Sequence, residues 1–389
     1  MSETAVGLIT TAKDRKFRPK FTLDTRKTSK AIQTAQFKDR IDMVGIIGLD
    51  KHQPSHVWYY KCYERLDIHR TMINDTIRTG SYLSAIGLNP SIFKDKIVLD
   101  VGTGTGVLSI FAVKEGGAKK VFAVDASAIA KGAELLVKSC GLEDRIKVVR
   151  DKIEAIKVLP DDVKKVDVIV SEWMGYALFN ESVLGTVITA RQQFLRDGGF
   201  MLPDMMKLRM VGSSCTRERP FDAKVVDAEE NIGAADSVDL SFLSAAGDCF
   251  ALNTLLVPNQ LLTNGAVVKV VDMYTIQHDE VYVDSEFALT CDGHGIFRSF
   301  VLFFDVLFNL PHSWKFSTSP ESPPTHWQQT VCCLPPGEEF EVWRDTAING
   351  RIRMNCIGEL PRFWTVTIQW TVTWKKKSAA PRTRTFYLM

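Results

Sequence analysis

The sequence predicts an α/β fold, a parallel-sheet unit followed by a mostly β unit, from three observations. Between Lys96 and Ser171, short apolar runs alternate with stretches of helical periodicity. A glycine-rich turn stands at the first junction between strand and helix. After Leu202-Pro203-Asp204 the helical rhythm stops, and apolar runs punctuated by turn residues take over.

From Trp58 to Ile86, apolar residues recur near helical spacing (Tyr59, Tyr63, Leu66, Ile68, Met72, Ile73, Ile77), which predicts one or two amphipathic helices. The run Lys96–Val101 reads as a strand, Val107–Glu115 as a helix and Lys120–Asp125 as a second strand. A helix over Ala128–Ser139 and strands over Ile146–Val149 and Val166–Ser171 complete the alternation. Such order implies a parallel sheet with helices on both faces, its ligand lying where strand C-terminal ends meet the turns. Beyond it, Val267–Tyr274, Phe300–Phe308, Gln329–Cys333 and Phe363–Trp374 read as strands of an antiparallel sandwich or barrel. The stretch from about Cys215 to Phe250, containing AEENIGAADS, reads as a helical excursion from it.

Composition excludes several classes. The 389 residues are 45% hydrophobic and 24% charged, as in ordinary globular proteins. Lys+Arg 48 against Asp+Glu 46 leaves no global field that calls for nucleic acid or a membrane. The basic run Lys375–Lys377 lacks the interleaved aromatics of a single-strand-binding platform. Eight cysteines without CxxC pairs argue against zinc or a disulfide framework and fit a reducing compartment. The N-terminal stretch has no signal-peptide pattern and no run is long enough to span a bilayer, so the expectation is a cytosolic or nuclear protein. Residues 1–56 are expected to form a flexible basic tail.

The turn Asp100-Val-Gly102-Thr-Gly104-Thr-Gly106 lets backbone approach a ligand while a helix N-terminus presents free N–H groups. Val107 stands where the dinucleotide fingerprint needs its last glycine, which disfavours nicotinamide and flavin. Asp125, ending the next strand, is placed to accept hydrogen bonds from both hydroxyls of a ribose, or else to cap a helix opening at Ala126-Ser127. Glu154, past the following strand, is placed for an adenine amino group or simply for solvent.

Segment Ser171–Val183 sets Glu172 and Glu181 among Trp173, Tyr176 and Phe179. Two carboxylates converging in a partly apolar pocket suit one guanidinium, whose planar fork binds them bidentately and whose charge does not titrate away. SEWMGYALFNES resembles the double-glutamate loop of the protein arginine methyltransferases, and Thr325-His326-Trp327, within FSTSPESPPTHWQQTV, resembles their THW loop, closest to the main type I branch. Tyr59–Tyr63, Ile68–Met72 and Asp75–Thr79 are similar to the family's cofactor-covering helices, and the likeness runs from about Trp58 to Thr371.

The resemblance implies a Rossmann-like S-adenosylmethionine-dependent methyltransferase domain over 57–202, with its covering helices. An antiparallel β-barrel domain over 203–389 would follow, with a helical dimerisation arm at about 213–250. It makes His69, Arg78, Asp100, Gly102, Gly104, Asp125 and Glu154 cofactor contacts, with Arg78 facing the methionine carboxylate. Glu172 and Glu181 would hold the substrate arginine, and His326 with Asp75 would relay the proton. Tyr63, Met72 and Trp327 would shape the pocket, Met72 favouring two methyls on one nitrogen. The implied substrates are Gly/Arg-rich proteins, and the implied assembly is a dimer or larger oligomer.

Several residues depart from the type I pattern: Asp125 stands for Glu, Tyr60 for Phe, Asn180 for Tyr and Val183 for Met. No Trp or Tyr occurs from Val211 to Met273, where the family's arm carries aromatic anchors, so a different paralogue is a possible partner and a regulatory subunit a second reading.

Overall fold

The strands of the first sheet are nearly continuous apolar runs because both their faces are covered. In the computed structural model, which describes residues 55–217, 248–358 and 360–388, this sheet comprises β1 (Ile97–Val101), β2 (Lys120–Val124), β3 (Ile146–Val149), β4 (Val166–Val170) and β5 (Leu195–Leu202). All are parallel, in the order β3-β2-β1-β4-β5. Strand order therefore reverses between β1 and β4, where Asp100 pairs with Val170. At such a switch point the connections leave in opposite directions and open a crevice beyond the strand ends. The glycine turn after β1 and the glutamate loop after β4 consequently face each other.

Where one or two helices were expected between Trp58 and Ile86, the described residues form three: α1 (Ser55–Tyr63), α2 (Leu66–Asn74) and α3 (Thr76–Gly87). The extra break is at Asp75, whose extended backbone ends α2 while its carboxylate accepts the Arg78 N–H to cap α3. The third helix reaches the sheet through Tyr82, fully buried, which donates its hydroxyl to the Ser171 carbonyl and packs edge-on against Phe308. A short α4 (Pro90–Phe93) leads into β1. Helices α5 (Val107–Lys114), α6 (Ala130–Ser139) and α7 (Leu184–Phe194) follow β1, β2 and the glutamate loop respectively.

After Leu202 the described strands are antiparallel. One sheet joins β6 (Met205–Ser213), β7 (Leu252–Thr254), β8 (Ala266–Asp272), β11 (Ser299–Phe308), β12 (Trp314–Ser317) and β13 (Gln329–Cys333). The other joins β9 (Val283–Thr290), β15 (Ala347–Ile357), β16 (Leu360–Trp374), β17 (Lys377–Ser378) and β18 (Arg382–Leu388), and β10 (Gly295–Phe297) pairs with β14 (Phe340–Val342). Among the described residues the hydrogen-bonded ladders make two large antiparallel sheets sharing one core, the antiparallel domain of the sequence expectations, and the ladders themselves do not close into a ring. Both expected possibilities rest on the same alternation, which does not say whether the end strands meet. The basic tail up to Pro54 and most of the expected arm, residues 218–247, lie outside the described residues.

Candidate active site

A cavity of about 560 Å³ opens beyond the ends of β1, β2 and β4 and under α1 and α2, a size typical of small-molecule sites. Of the residues singled out in the sequence, His69, Arg78, Gly102, Gly104, Asp125, Glu154, Tyr63, Met72, Glu172, Glu181, His326 and Trp327 line it. Asp75 and Asp100 do not; both are buried behind the wall.

The glycine turn has left-handed backbone at Gly102, Gly104 and Gly106, which costs a side chain but not glycine. A Cβ on Gly104 would also come within 3.3 Å of the His69 ring. Beneath the turn, Asp100 accepts hydrogen bonds from Thr103 (2.6 Å) and Ser109 (2.7 Å) through Oδ2. Burial raises its pKa to about 6 against the pull of those hydroxyls, and Oδ1 has no hydrogen-bond partner. Asp100 thus braces the turn from below. Asp125 Oδ2 accepts the Gly104 N–H at 2.9 Å, and Oδ1 accepts the N–H and hydroxyl of Ser127. Its role in its own loop, one alternative seen in the sequence, coexists with a place on the cavity wall, while the helix itself starts later at Ala130. Glu154 sits on a single 3₁₀ turn and accepts the Thr186 hydroxyl at 2.7 Å. The His69 Nε2 is 2.8 Å from the Tyr63 carbonyl, which places the ring proton there and leaves Nδ1 an acceptor.

On the opposite wall, Arg78 Nε donates to Glu172 Oε2 at 2.8 Å, both side chains under a tenth exposed. Glu172 Oε1 accepts the Met174 N–H. Glu181 takes the Tyr63 hydroxyl on Oε2 at 2.8 Å. Burial, opposed by that hydroxyl and reinforced by the Glu172 charge, raises the Glu181 pKa from its ordinary 4.5 to about 7. The two carboxylates therefore feel each other across one cavity, an arrangement that is costly until a cation enters.

At the rim, His326 Nδ1 is 2.7 Å from Asp75 Oδ2, which also accepts the His326 backbone N–H. Burial would raise the Asp75 pKa, but the hydrogen bonds from the His326 ring and from the backbone of Arg78 and His326 hold it below the ordinary value. Trp327 donates its indole N–H to the Met174 carbonyl at 2.8 Å and stacks on Phe316, fastening the rim to the glutamate loop.

Sequence reasoning missed Arg362 and Trp364. Arg362 lines the cavity and its guanidinium lies 4.1 Å over the Tyr59 ring. Its partner Glu181 is 181 residues away in the chain, a separation at which no local pattern operates. The one available signal is an isolated arginine immediately before the apolar strand sequence Phe363-Trp-Thr-Val366.

A nucleoside-sized pocket at a parallel-sheet switch point, with paired carboxylates facing it, defines a methyltransferase-like class of site. Residues 98–199 match a methyltransferase domain model, and residues 230–376 match the arginine methyltransferase oligomerization subdomain. Over 308 residues, 78% of this chain and 85% of its relative, the sequence is 38% identical to protein arginine N-methyltransferase 1 of Caenorhabditis elegans. It is also 38% identical over 281 residues to protein arginine N-methyltransferase 8-B of Danio rerio, a match that spans 72% of this chain and 65% of that protein. Among solved structures, a chain of the Trypanosoma brucei PRMT1 enzyme-prozyme heterotetrameric complex with AdoHcy superposes with a TM-score of 0.74 at 31% identity, covering 84% of this chain and 99% of that one. Protein arginine methyltransferase 10 of Arabidopsis thaliana superposes equally, at 0.74 and 28% identity over 85% of this chain and 99% of that chain. The chain belongs to the protein arginine N-methyltransferase family.

Proposed function

We propose that this chain transfers methyl groups from S-adenosylmethionine to guanidino nitrogens of arginine side chains in proteins, giving monomethylarginine and then asymmetric dimethylarginine. The observation that carries the reading is that Glu172 and Glu181 line one cavity together with the glycine turn, Glu172 oriented by Arg78 and the Met174 N–H and Glu181 through one oxygen by Tyr63. A carboxylate has about four acceptor sites, so both keep capacity for a guanidinium.

The residues present fit the cofactor. Asp125 and Glu154 offer acceptors suited to ribose hydroxyls and an adenine amino group, Gly102 and Gly104 admit close approach, and Arg78 supplies a cation for a carboxylate. When bound, the cofactor supplies an electrophilic sulfonium methyl. Arg78 also holds Glu172, so the group that receives the substrate is tied to the group suited to the cofactor's carboxylate.

Glu172 and Glu181 draw the substrate's positive charge toward the nitrogens they bind and leave lone-pair density on the third. Fixing that nitrogen in line is the main source of rate, since alignment alone reaches effective molarities of ~10⁵ M or more. His326, its Nδ1 proton directed at Asp75, presents Nε2 as the acceptor for the proton that leaves. Met72 lines the pocket and narrows one side of it, which supports dimethylation on a single nitrogen. Flexible Gly/Arg-rich segments are the proposed substrates, and a dimer or larger oligomer the working form.

A second reading is a regulatory subunit that activates a competent paralogue. Two observations favour it: Asn180 Oδ1 is buried in the glutamate loop without a hydrogen-bond partner, and the 211–273 stretch lacks Trp and Tyr anchors. Radiolabelled methyl transfer to a Gly/Arg-rich peptide, by this chain alone and with paralogue chains, separates them. Turnover by the isolated chain supports the enzyme; turnover only by the mixture, undiminished by Glu181→Gln in this chain, supports the subunit.

A further inference from the structure

The loop that carries Glu181 has an improbable backbone. Ala177, Leu178, Glu181 and Ser182 all have left-handed φ, at 45°, 70°, 76° and 54°, and none is glycine. Such conformations persist only where neighbours over-determine them. Part of the constraint is internal. Gly175 and Leu178 exchange backbone hydrogen bonds, and a Cβ on Gly175 would fall 2.0 Å from the Asn180 carbonyl oxygen.

The rest comes from β16, in the other domain. The Glu181 N–H donates to the Arg362 carbonyl at 3.0 Å, and Arg362 Nη1 donates back to the Glu181 carbonyl. Two positions on, Trp364 donates its indole N–H to the Ser182 hydroxyl at 2.8 Å and packs against Phe179, ring centroids 5.5 Å apart. The peptide of Glu181 is thus clamped by a single residue from both sides.

The same guanidinium reaches the carboxylate by a second route. It stacks on Tyr59 and hydrogen-bonds Tyr60, and Tyr59 packs against Tyr63 at 4.6 Å, whose hydroxyl holds Glu181 Oε2. Backbone and side chain of Glu181 are therefore referred to one arginine, which also fastens the covering helix α1.

We propose that Arg362 is a positioning residue for methyl transfer: a planar clamp from the second domain that sets Glu181 and α1 in one step, so that the acceptor arginine is aligned only when β16 is in place. This rests on the arginine-methyltransferase reading of the cavity. A planar fork is required, because the stack on Tyr59 and the bond to the Glu181 carbonyl use different parts of one guanidinium; an ammonium makes one or the other. The groups facing Glu181 are Tyr59, Cys62 and Tyr63 from α1, Glu172 and Tyr176 from its own loop, and Arg362 from β16. Among them the Tyr63 hydroxyl and, after it, the Arg362 charge favour the ionised carboxylate.

The test uses the full chain as wild type, Arg362→Lys and Arg362→Leu. The readouts are S-adenosylhomocysteine affinity by calorimetry, kcat and KM for a Gly/Arg-rich peptide, and peptide affinity from about pH 6 to about pH 9. Nucleotide affinity should stay within about threefold, while kcat falls about 100-fold in both variants, the usual scale for a misplaced reacting group. The acidic limb of peptide binding should move to higher pH in Arg362→Leu and stay in place in Arg362→Lys. Wild-type kcat in Arg362→Lys, or loss of nucleotide binding in parallel with peptide binding, overturns the proposal. Should Arg362→Leu fail to fold, Tyr59→Leu removes the stack with the arginine intact and must lower kcat at least tenfold. A wild type that binds the nucleotide yet transfers no methyl ends the enzyme reading, and Arg362 is then judged by the pH dependence of peptide binding alone.

Discussion

Glu181 and Glu172 are chemically the same residue held in opposite electrostatic conditions, and replacing Glu181 with its neutral isostere should make the protein more stable while disabling it. The Glu181 carboxyl titrates near 7 in the folded chain, against an ordinary 4.5, because burial and the Glu172 charge outweigh the Tyr63 hydroxyl and Arg362. A carboxyl raised in this way binds its proton more tightly folded than unfolded. Its contribution to stability is complete below about 4.5, declines as pH rises through about 7 and is gone above that. The gap corresponds to about 3 kcal/mol at about 1.4 kcal/mol per pH unit. Glu181→Gln should therefore melt roughly 5 °C above wild type near pH 8, with most of the difference vanishing near pH 5.

The same ionisation governs substrate capture, since the guanidinium needs the carboxylate and does not itself titrate. For wild type, kcat/KM should fall about tenfold per pH unit below about 7, reporting the free enzyme. The kcat limb should lie lower, because a bound guanidinium favours the charged form. Melting scans of both proteins at the two pH values and a pH–rate profile with a Gly/Arg-rich peptide check this. A flat kcat/KM between about pH 6 and about pH 8, or Glu181→Gln melting at or below wild type near pH 8, refutes the reasoning.

Glu172→Gln should have the opposite sign: it leaves the buried Arg78 guanidinium uncompensated, costing about 3 kcal/mol, and should lower the melting temperature while abolishing transfer. His326→Ala removes the partner of Asp75 and should slow transfer by about 10² or more in single-turnover measurements, with S-adenosylhomocysteine affinity unchanged by calorimetry. Asp125→Ala leaves the Gly104 N–H without its acceptor and should weaken nucleotide binding about tenfold, read by the same titration. Gly175→Ala puts a methyl against the Asn180 carbonyl and should abolish transfer with nucleotide binding retained, because the glutamate loop lies across the cavity from the glycine turn.

What was legible in the sequence is what depends on neighbours in the chain. Strands β1 to β4 lie within a residue or so of their apolar runs because parallel strands buried on both faces need such runs. The glycine turn was legible for the same kind of reason, a backbone requirement expressed in three nearby residues. Asp75 shows the limit. Apolar periodicity continues across it, so the break between α2 and α3 is invisible until its carboxylate is seen capping one helix and holding His326, 251 residues away. Asp100 could be singled out by position but not by direction: its side chain turns to Thr103 and Ser109 under the turn, although the strand's register alone would allow either.

The residues that were not legible share one property, which is that they act across the two domains. Trp364, Arg362 and the Glu181 peptide meet only after β16 has paired with β15 and β18 and packed beside the parallel-sheet domain. The acidic pair was readable because both glutamates sit in one loop, yet that loop alone would not keep four left-handed residues in place. The geometry that can grip a guanidinium is thus a property of two folded domains in contact. Substitutions on β16, far from any motif, should therefore change transfer more than they change cofactor binding.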